Sequence, residues 1–133
     1  MKLLKMLCLL LVFSATSCKD NKEALGTIQV VSPTEMQTLL ELDEVQLVDV
    51  RTPEEVSEGF IANSQNIDYF SPTFDTDIEN LDKNKPVVLY CRSGKRSAKC
   101  SQKLLEAGFK KIYDLEGGIS RWIHEGLETK TNL

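Results

Sequence analysis

Cys91 is followed by Arg92-Ser93-Gly94-Lys95-Arg96-Ser97 and preceded by the apolar run Val87-Val88-Leu89-Tyr90. The run reads as a buried strand. Behind the cysteine a helical pattern begins near Ser93 and continues through Ala98, Leu104, Leu105 and Ala107 to a stop at Gly108. A loop between strand and helix lies at the carboxyl end of a parallel sheet, where α/β folds place their ligand sites. The backbone amides of Arg92 to Arg96 would curl toward Cys91 there, and the helix adds the positive end of its dipole. Arg92, Lys95 and Arg96 add positive charge. Each effect favours thiolate over thiol, and the thiolate is the nucleophile. The same cradle stabilises an anion, so a negatively charged substrate or a cysteine persulfide anion would be held where it forms. Gly94 permits a tight turn, and the Ser93 hydroxyl is an extra donor.

The elements that must position this loop can be read on either side of it. Thr27 to Val31 alternates and is β-branched, and Ser32-Pro33-Thr34-Glu35 supplies an N-cap, a Pro at the first helical position and a capping-box acid. That helix is expected to run to about Glu41. Val45 to Val50 is a mostly apolar strand, and Thr52-Pro53-Glu54-Glu55 opens a short second helix ending near Gly59. A brief strand is expected near Asn66-Ile67, and a weak helical stretch from Ser71-Pro72 to about Leu81. Lys111 to Leu115 is a further strand, Glu116-Gly117-Gly118 a tight turn, and Ile119 to Glu125 a final helix carrying Trp122. This alternation predicts one α/β domain over residues 27–133, an open and mostly parallel sheet covered by helices on both faces. At 133 residues the chain has room for one core.

In order along the chain, these segments resemble the rhodanese domains, which pass sulfane sulfur from a donor such as thiosulfate to a thiophilic acceptor. Cys91-Arg92-Ser93-Gly94-Lys95-Arg96-Ser97 resembles the family's active-site loop, and Leu47-Val48-Asp49-Val50-Arg51 with Pro53-Glu54-Glu55 resembles its first motif. Leu115-Glu116-Gly117-Gly118-Ile119 with Trp122 and Gly126-Leu127 resembles its last. The resemblance implies Cys91 as the sulfur-carrying nucleophile, Arg92, Ser93, Gly94, Lys95 and Arg96 as the substrate-binding loop, and Asp49 and Arg51 as residues that support the site by salt bridges and hydrogen bonds. It implies a small anionic sulfur donor and a thiol or cyanide acceptor, with no cofactor. Many family members carry Gly-His-Ile where this chain has Gly59-Phe60-Ile61.

Two other classes share parts of this pattern. Cysteine-based phosphatases and arsenate reductases separate cysteine from arginine by five residues, whereas here four intervene before Arg96 and Ser97 takes the next place. The cradle is one residue shorter and suits a sulfur better than a tetrahedral oxyanion. Rhodanese-like modules that serve only in binding have lost the cysteine, and this chain keeps it. His124 is the single histidine, which leaves no histidine-rich metal site and no Cys-His dyad, and Cys91 with Cys100 lacks zinc-site spacing. Cys100 is expected to be a packed thiol. It falls on the second helical turn, about 10 Å along the axis, beyond the roughly 7 Å limit for a disulfide.

The amino terminus carries a separate message. Lys2 and Lys5 precede the apolar run Met6 to Phe13, which is shorter than a transmembrane helix and passes through Ser14-Ala15-Thr16-Ser17 to Cys18. This resembles a bacterial lipoprotein signal. Residues 1–17 are expected to be removed, Cys18 to become the lipidated first residue, and residues 18–26 to form a polar tether. The domain would then lie in the cell envelope, on the periplasmic or surface side of a membrane. Loss of Lys2 and Lys5 and of no acidic residue takes the formal charge from −4 to −6. An acidic surface without a basic tract disfavours nucleic acid as a partner.

Overall fold

The computed structural model describes residues 25–42 and 44–132. The expected leader and Cys18, the expected lipidation site, lie outside the described residues. Strand β1 (Thr27–Val31) leads into α1 (Pro33–Leu40), whose start is set by the full Ser32/Glu35 capping box. Strand β2 (Gln46–Asp49) and α2 (Pro53–Ser57) repeat the device with Thr52 and Glu55. Strand β3 (Gln65–Asn66), α3 (Phe74–Asp77) and a 3₁₀ turn at Ile78–Asn80 follow. Strand β4 (Val87–Tyr90), α4 (Lys95–Glu106), β5 (Lys111–Leu115) and α5 (Gly118–His124) complete the order.

The strands form one parallel sheet in the order β1-β5-β4-β2-β3. The continuous apolar run of β4 has its reason here, since β4 lies between β5 and β2 and is buried on both faces. Val87, Leu89 and Cys91 pack with Ile112 of β5, Cys100 and Leu104 of α4, and Phe74 of α3. On the opposite face Val88 and Tyr90 pack with Leu115, Met36 of α1, and Ile119 and Trp122 of α5. Helices therefore cover both faces, as the sequence predicts.

Helix α2 ends at Ser57 rather than near Gly59, other ends shift by about one residue, and two further differences bear on the site and the core. Helix α4 begins at Lys95 rather than near Ser93, because Gly94 at its N-cap is left-handed (φ 98°) and residues 92–94 turn before the helix starts. The stretch from Ser71 to Leu81 is two short pieces rather than one helix, and Thr73 places no side-chain cap at its start. Helix α4 ends as expected at Gly108 (φ 95°), with the Gly108 and Phe109 amides donating to the Leu105 and Leu104 carbonyls.

Candidate active site

Cys91 stands one residue beyond the end of β4 and is only 1% exposed, so its thiol forms the floor of the loop. Its Sγ accepts a hydrogen bond from the Gly94 amide at 3.1 Å and lies 3.5 Å from the Ser97 hydroxyl. The first α4 amide with a helical acceptor is that of Ala98, on the Gly94 carbonyl. The amides of Lys95, Arg96 and Ser97 precede the helical ladder and face the amino-terminal end, which gives the loop its concentration of N–H donors.

The last helix fixes the orientation of those donors. Ile119 N–H donates to the Cys91 carbonyl at 2.9 Å and Ser120 N–H to the Arg92 carbonyl at 3.1 Å. The loop's carbonyls are thereby occupied on the α5 side, away from the sulfur. The contact is close because residue 118 is glycine: a Cβ there would stand 2.5 Å from the carbonyl oxygens of both Cys91 and Arg92. The Gly117-Gly118 pair is thus part of the loop's construction and more than a turn.

Of the loop side chains, those of Arg92, Ser93 and Lys95 are exposed. Arg96 is not a free cation. Its guanidinium makes two 2.6 Å hydrogen bonds to the Glu55 carboxylate of α2, and it lies over the ring of Phe70 at 5.5 Å. The Arg96 pair, with help from Thr52 against the opposing effect of burial, holds the Glu55 carboxyl down to about 2. Glu55 therefore caps α2 and anchors the loop at once. In the sequence only the capping role is visible, since Arg96 is 41 residues away.

Asp49 and Arg51 form a buried pair behind the loop. Arg51 Nη2 is 2.7 Å from Asp49 Oδ2, and Nε adds bonds of 2.9 and 3.1 Å to the two carboxylate oxygens. The same guanidinium donates to the carbonyls of Glu55 and Gly59 and lies 5.7 Å from the centre of the Tyr90 ring. Burial works against the Arg51 charge, but the hydrogen bonds and charge of Asp49 outweigh it and raise its pKa. Phe60, the departure from the expected Gly-His-Ile segment, pairs by backbone with Lys130, at 2.9 and 2.7 Å. Tyr90 Oη accepts from the Ile61 amide and donates to Ser64, fastening this segment without a histidine.

Cys100 is fully buried on α4 and is a free thiol, as is Cys91. Burial, with the nearby Asp114 charge, pushes its thiol up to about 12. Two residues that shape the Cys91 loop are absent from the sequence reading of the site: Ser97, beside the sulfur, and Glu55, on Arg96. Ser97 lies inside the loop motif, but only the first turn of α4 shows that its hydroxyl faces the sulfur. A cleft of about 190 Å³ beside the loop is lined by Arg51, Glu58, Arg92, Ile123 and Thr129 among others. Among the described residues no group of three or more His, Cys, Asp or Glu side chains is arranged to hold a metal, and no helix is long and apolar enough to cross a membrane.

The chain matches the Rhodanese-like domain family over residues 32–125, which includes every element from α1 to α5. It is 34% identical over 91 residues to a sulfurtransferase of Allochromatium vinosum, covering 68% of this chain and 83% of the relative. It is also 34% identical over 92 residues to the thiosulfate sulfurtransferase GlpE of Coxiella burnetii, covering 69% and 84%. Among solved structures it resembles the polysulfide-sulfur transferase homodimer of Wolinella succinogenes, with a TM-score of 0.68 and 32% identity over 79% of this chain and 80% of that one. A buried cysteine in a strand-to-helix amide loop, the sheet order around it and these likenesses agree: the chain belongs to the rhodanese-like domain family.

Proposed function

We propose that this protein is a sulfurtransferase that carries sulfur as a Cys91 persulfide, taking it from an anionic sulfane donor such as thiosulfate. The observation that carries the reading is the Gly94 amide on Cys91 Sγ at 3.1 Å, at the start of a helix whose first-turn amides have no helical acceptor. Donors so placed stabilise negative charge on sulfur before and after transfer.

The chemistry is a double displacement. The Cys91 thiolate attacks the outer sulfur of thiosulfate, and the S–S bond breaks with its electron pair leaving on sulfite. The resulting persulfide terminates in a sulfur anion within reach of the cradle. A thiolate or cyanide then attacks that terminal sulfur, the Cys91 S–S bond breaks, and the thiolate is restored. Arg92 and Lys95, both exposed, attract the anionic donor. Arg96, engaged by Glu55, holds the loop in shape, and the Asp49–Arg51 pair supports it from behind.

Incubation with thiosulfate followed by intact mass measurement tests this reading. Wild type gains the mass of one sulfur and Cys91→Ser does not. Equal behaviour of the two proteins would overturn it.

We further infer from the amino-terminal pattern that Cys18 carries lipid and holds the domain at the outer side of a bacterial membrane. Metabolic labelling with a fatty acid should mark the wild type and leave Cys18→Ala unmarked, and an unlabelled wild type would refute the anchor.

A further inference from the structure

The cleft beside the Cys91 loop has no part in the chemistry above. Its volume of about 190 Å³ is below the roughly 300–1,000 Å³ of pockets for drug-sized molecules, so it suits a ligand the size of one amino acid. Its wall joins the end of α2, the start of the loop and α5. Arg92 is the first loop residue after Cys91, and Glu55 is the carboxylate that ties down Arg96. Ile119 and Ser120, whose amides hold the carbonyls of Cys91 and Arg92, form the α5 side. The cleft therefore runs along the loop, at the end of the sheet where α/β folds bind ligands.

The charged side chains in this wall divide into two kinds. Arg51 is held by Asp49, and Glu55 by Arg96. Among the described residues, Arg92 and Glu58 enter no ion pair, so a cation and an anion, both exposed, face the same small space. A ligand with one charge would meet repulsion from one of them, whereas a zwitterion satisfies both. An α-amino acid has the matching groups, a carboxylate for the forked guanidinium of Arg92 and an ammonium for Glu58. Ile123, 55% exposed, offers apolar surface to its carbon chain.

We propose that this cleft is the acceptor site, and that the acceptor is a thiol amino acid such as cysteine. The inference rests on the sulfurtransferase reading and names the thiol of its second half. Because sulfite departs before the acceptor arrives, Arg92 serves donor and acceptor in turn. Cys91 is buried at the loop floor, so the acceptor has to be small and gripped from outside the loop. With its charged end in the cleft, the amino acid's thiolate attacks the outer sulfur of the Cys91 persulfide. The S–S bond to Cys91 breaks with its electron pair on the Cys91 sulfur, and the amino acid departs as its own persulfide.

Binding is tested without sulfur chemistry by L-serine, which has the same charged end and no thiol. In amide NMR titrations L-serine should shift Ser120 and Ile123 of the wild type. Its methyl ester and its N-acetyl derivative, each lacking one charge, should bind about fivefold more weakly, the upper scale for an exposed ion pair. The preference for L-serine over N-acetyl-L-serine should disappear in Glu58→Gln, and the preference over the ester in Arg92→Gln. Equal affinities of the three ligands for the wild type, or shifts confined to other faces of the domain, would overturn the site.

Discharge of the thiosulfate-loaded protein assigns the use of the site. The ratio of discharge rates with L-cysteine and N-acetyl-L-cysteine, at subsaturating concentrations, should be about fivefold lower in Glu58→Gln than in wild type. The acidity of each thiol cancels in that comparison. An unchanged ratio would overturn the acceptor assignment even where L-serine binds. Failure of thiosulfate to load Cys91 would instead refute the sulfurtransferase reading, and L-serine binding does not depend on it.

Discussion

Arg96 of the Cys91 loop and Glu55 of α2 meet in a two-pronged ion pair, with both hydrogen bonds at 2.6 Å and both side chains about four-fifths buried. The loop is therefore tied to the first half of the domain through one of the residues expected to bind substrate. Glu55→Gln should cost about 1–2 kcal/mol at neutral pH, the scale of a charge-assisted hydrogen bond. The pH dependence has a defined sign. Glu55 is depressed from 4.5 to about 2, so its contribution is present above the unfolded value and is lost as pH falls through about 2. Urea titrations of both proteins should diverge at neutral pH and converge in acid; a constant gap would refute the assignment.

Gly118 permits the contact between α5 and the loop carbonyls. Gly118→Ala puts a methyl 2.5 Å from two backbone oxygens at a residue with φ 60°. Sulfur loading should fall on the order of a hundredfold, as expected of an ångström-scale misplacement of a reacting group. Loading at the wild-type rate would show that the loop does not depend on this approach.

The Asp49–Arg51 pair is buried and hydrogen-bonded throughout, so removing one partner strands the other. Asp49→Ala should destabilise by about 3–5 kcal/mol, the range for breaking a buried pair. Denaturant unfolding measures it, and a loss below about 1 kcal/mol would place the pair with exposed ion pairs instead.

Asp114 should show the opposite pH behaviour from Glu55. Its carboxyl is raised from 3.8 to about 6, so its favourable contribution is present below the unfolded value and is lost as pH rises through about 6. Asp114→Asn should therefore be more stable than wild type by about 1–3 kcal/mol at pH near 8, and the difference should shrink toward pH 4. Thermal melts at the two pH values check this, and a variant less stable than wild type at the higher pH would contradict it.

Much of the fold was legible because local chemistry and global packing agree. Ser32/Glu35 and Thr52/Glu55 announce their helices through capping boxes that form in full, and the apolar β4 run announces a strand buried on both sides. The cysteine's place followed from the strand ending beside it. What stayed hidden depends on distance along the chain. Nothing local marks Glu55 as the partner of Arg96, or the Ile119 and Ser120 amides as the clamp on the loop carbonyls. Asp114 looks like any polar residue alternating on a strand, until the sheet order places β5 between two neighbours and under α4. The Ser71–Leu81 stretch misled for the reverse reason, since its weak helical pattern had no cap to sustain it.

The clamp that α5 places on the loop has a consequence for biosynthesis. Cys91 emerges from the ribosome well before Gly118, Ile119 and Ser120, and a nascent chain halted between them carries the thiol without the amides that pin its carbonyls outward. The chain therefore has to be made past the start of its final helix before the geometry of the Cys91 loop can exist, and β5, which is inserted between β1 and β4, arrives at the same late stage. Chains interrupted during synthesis would carry the cysteine but not its cradle.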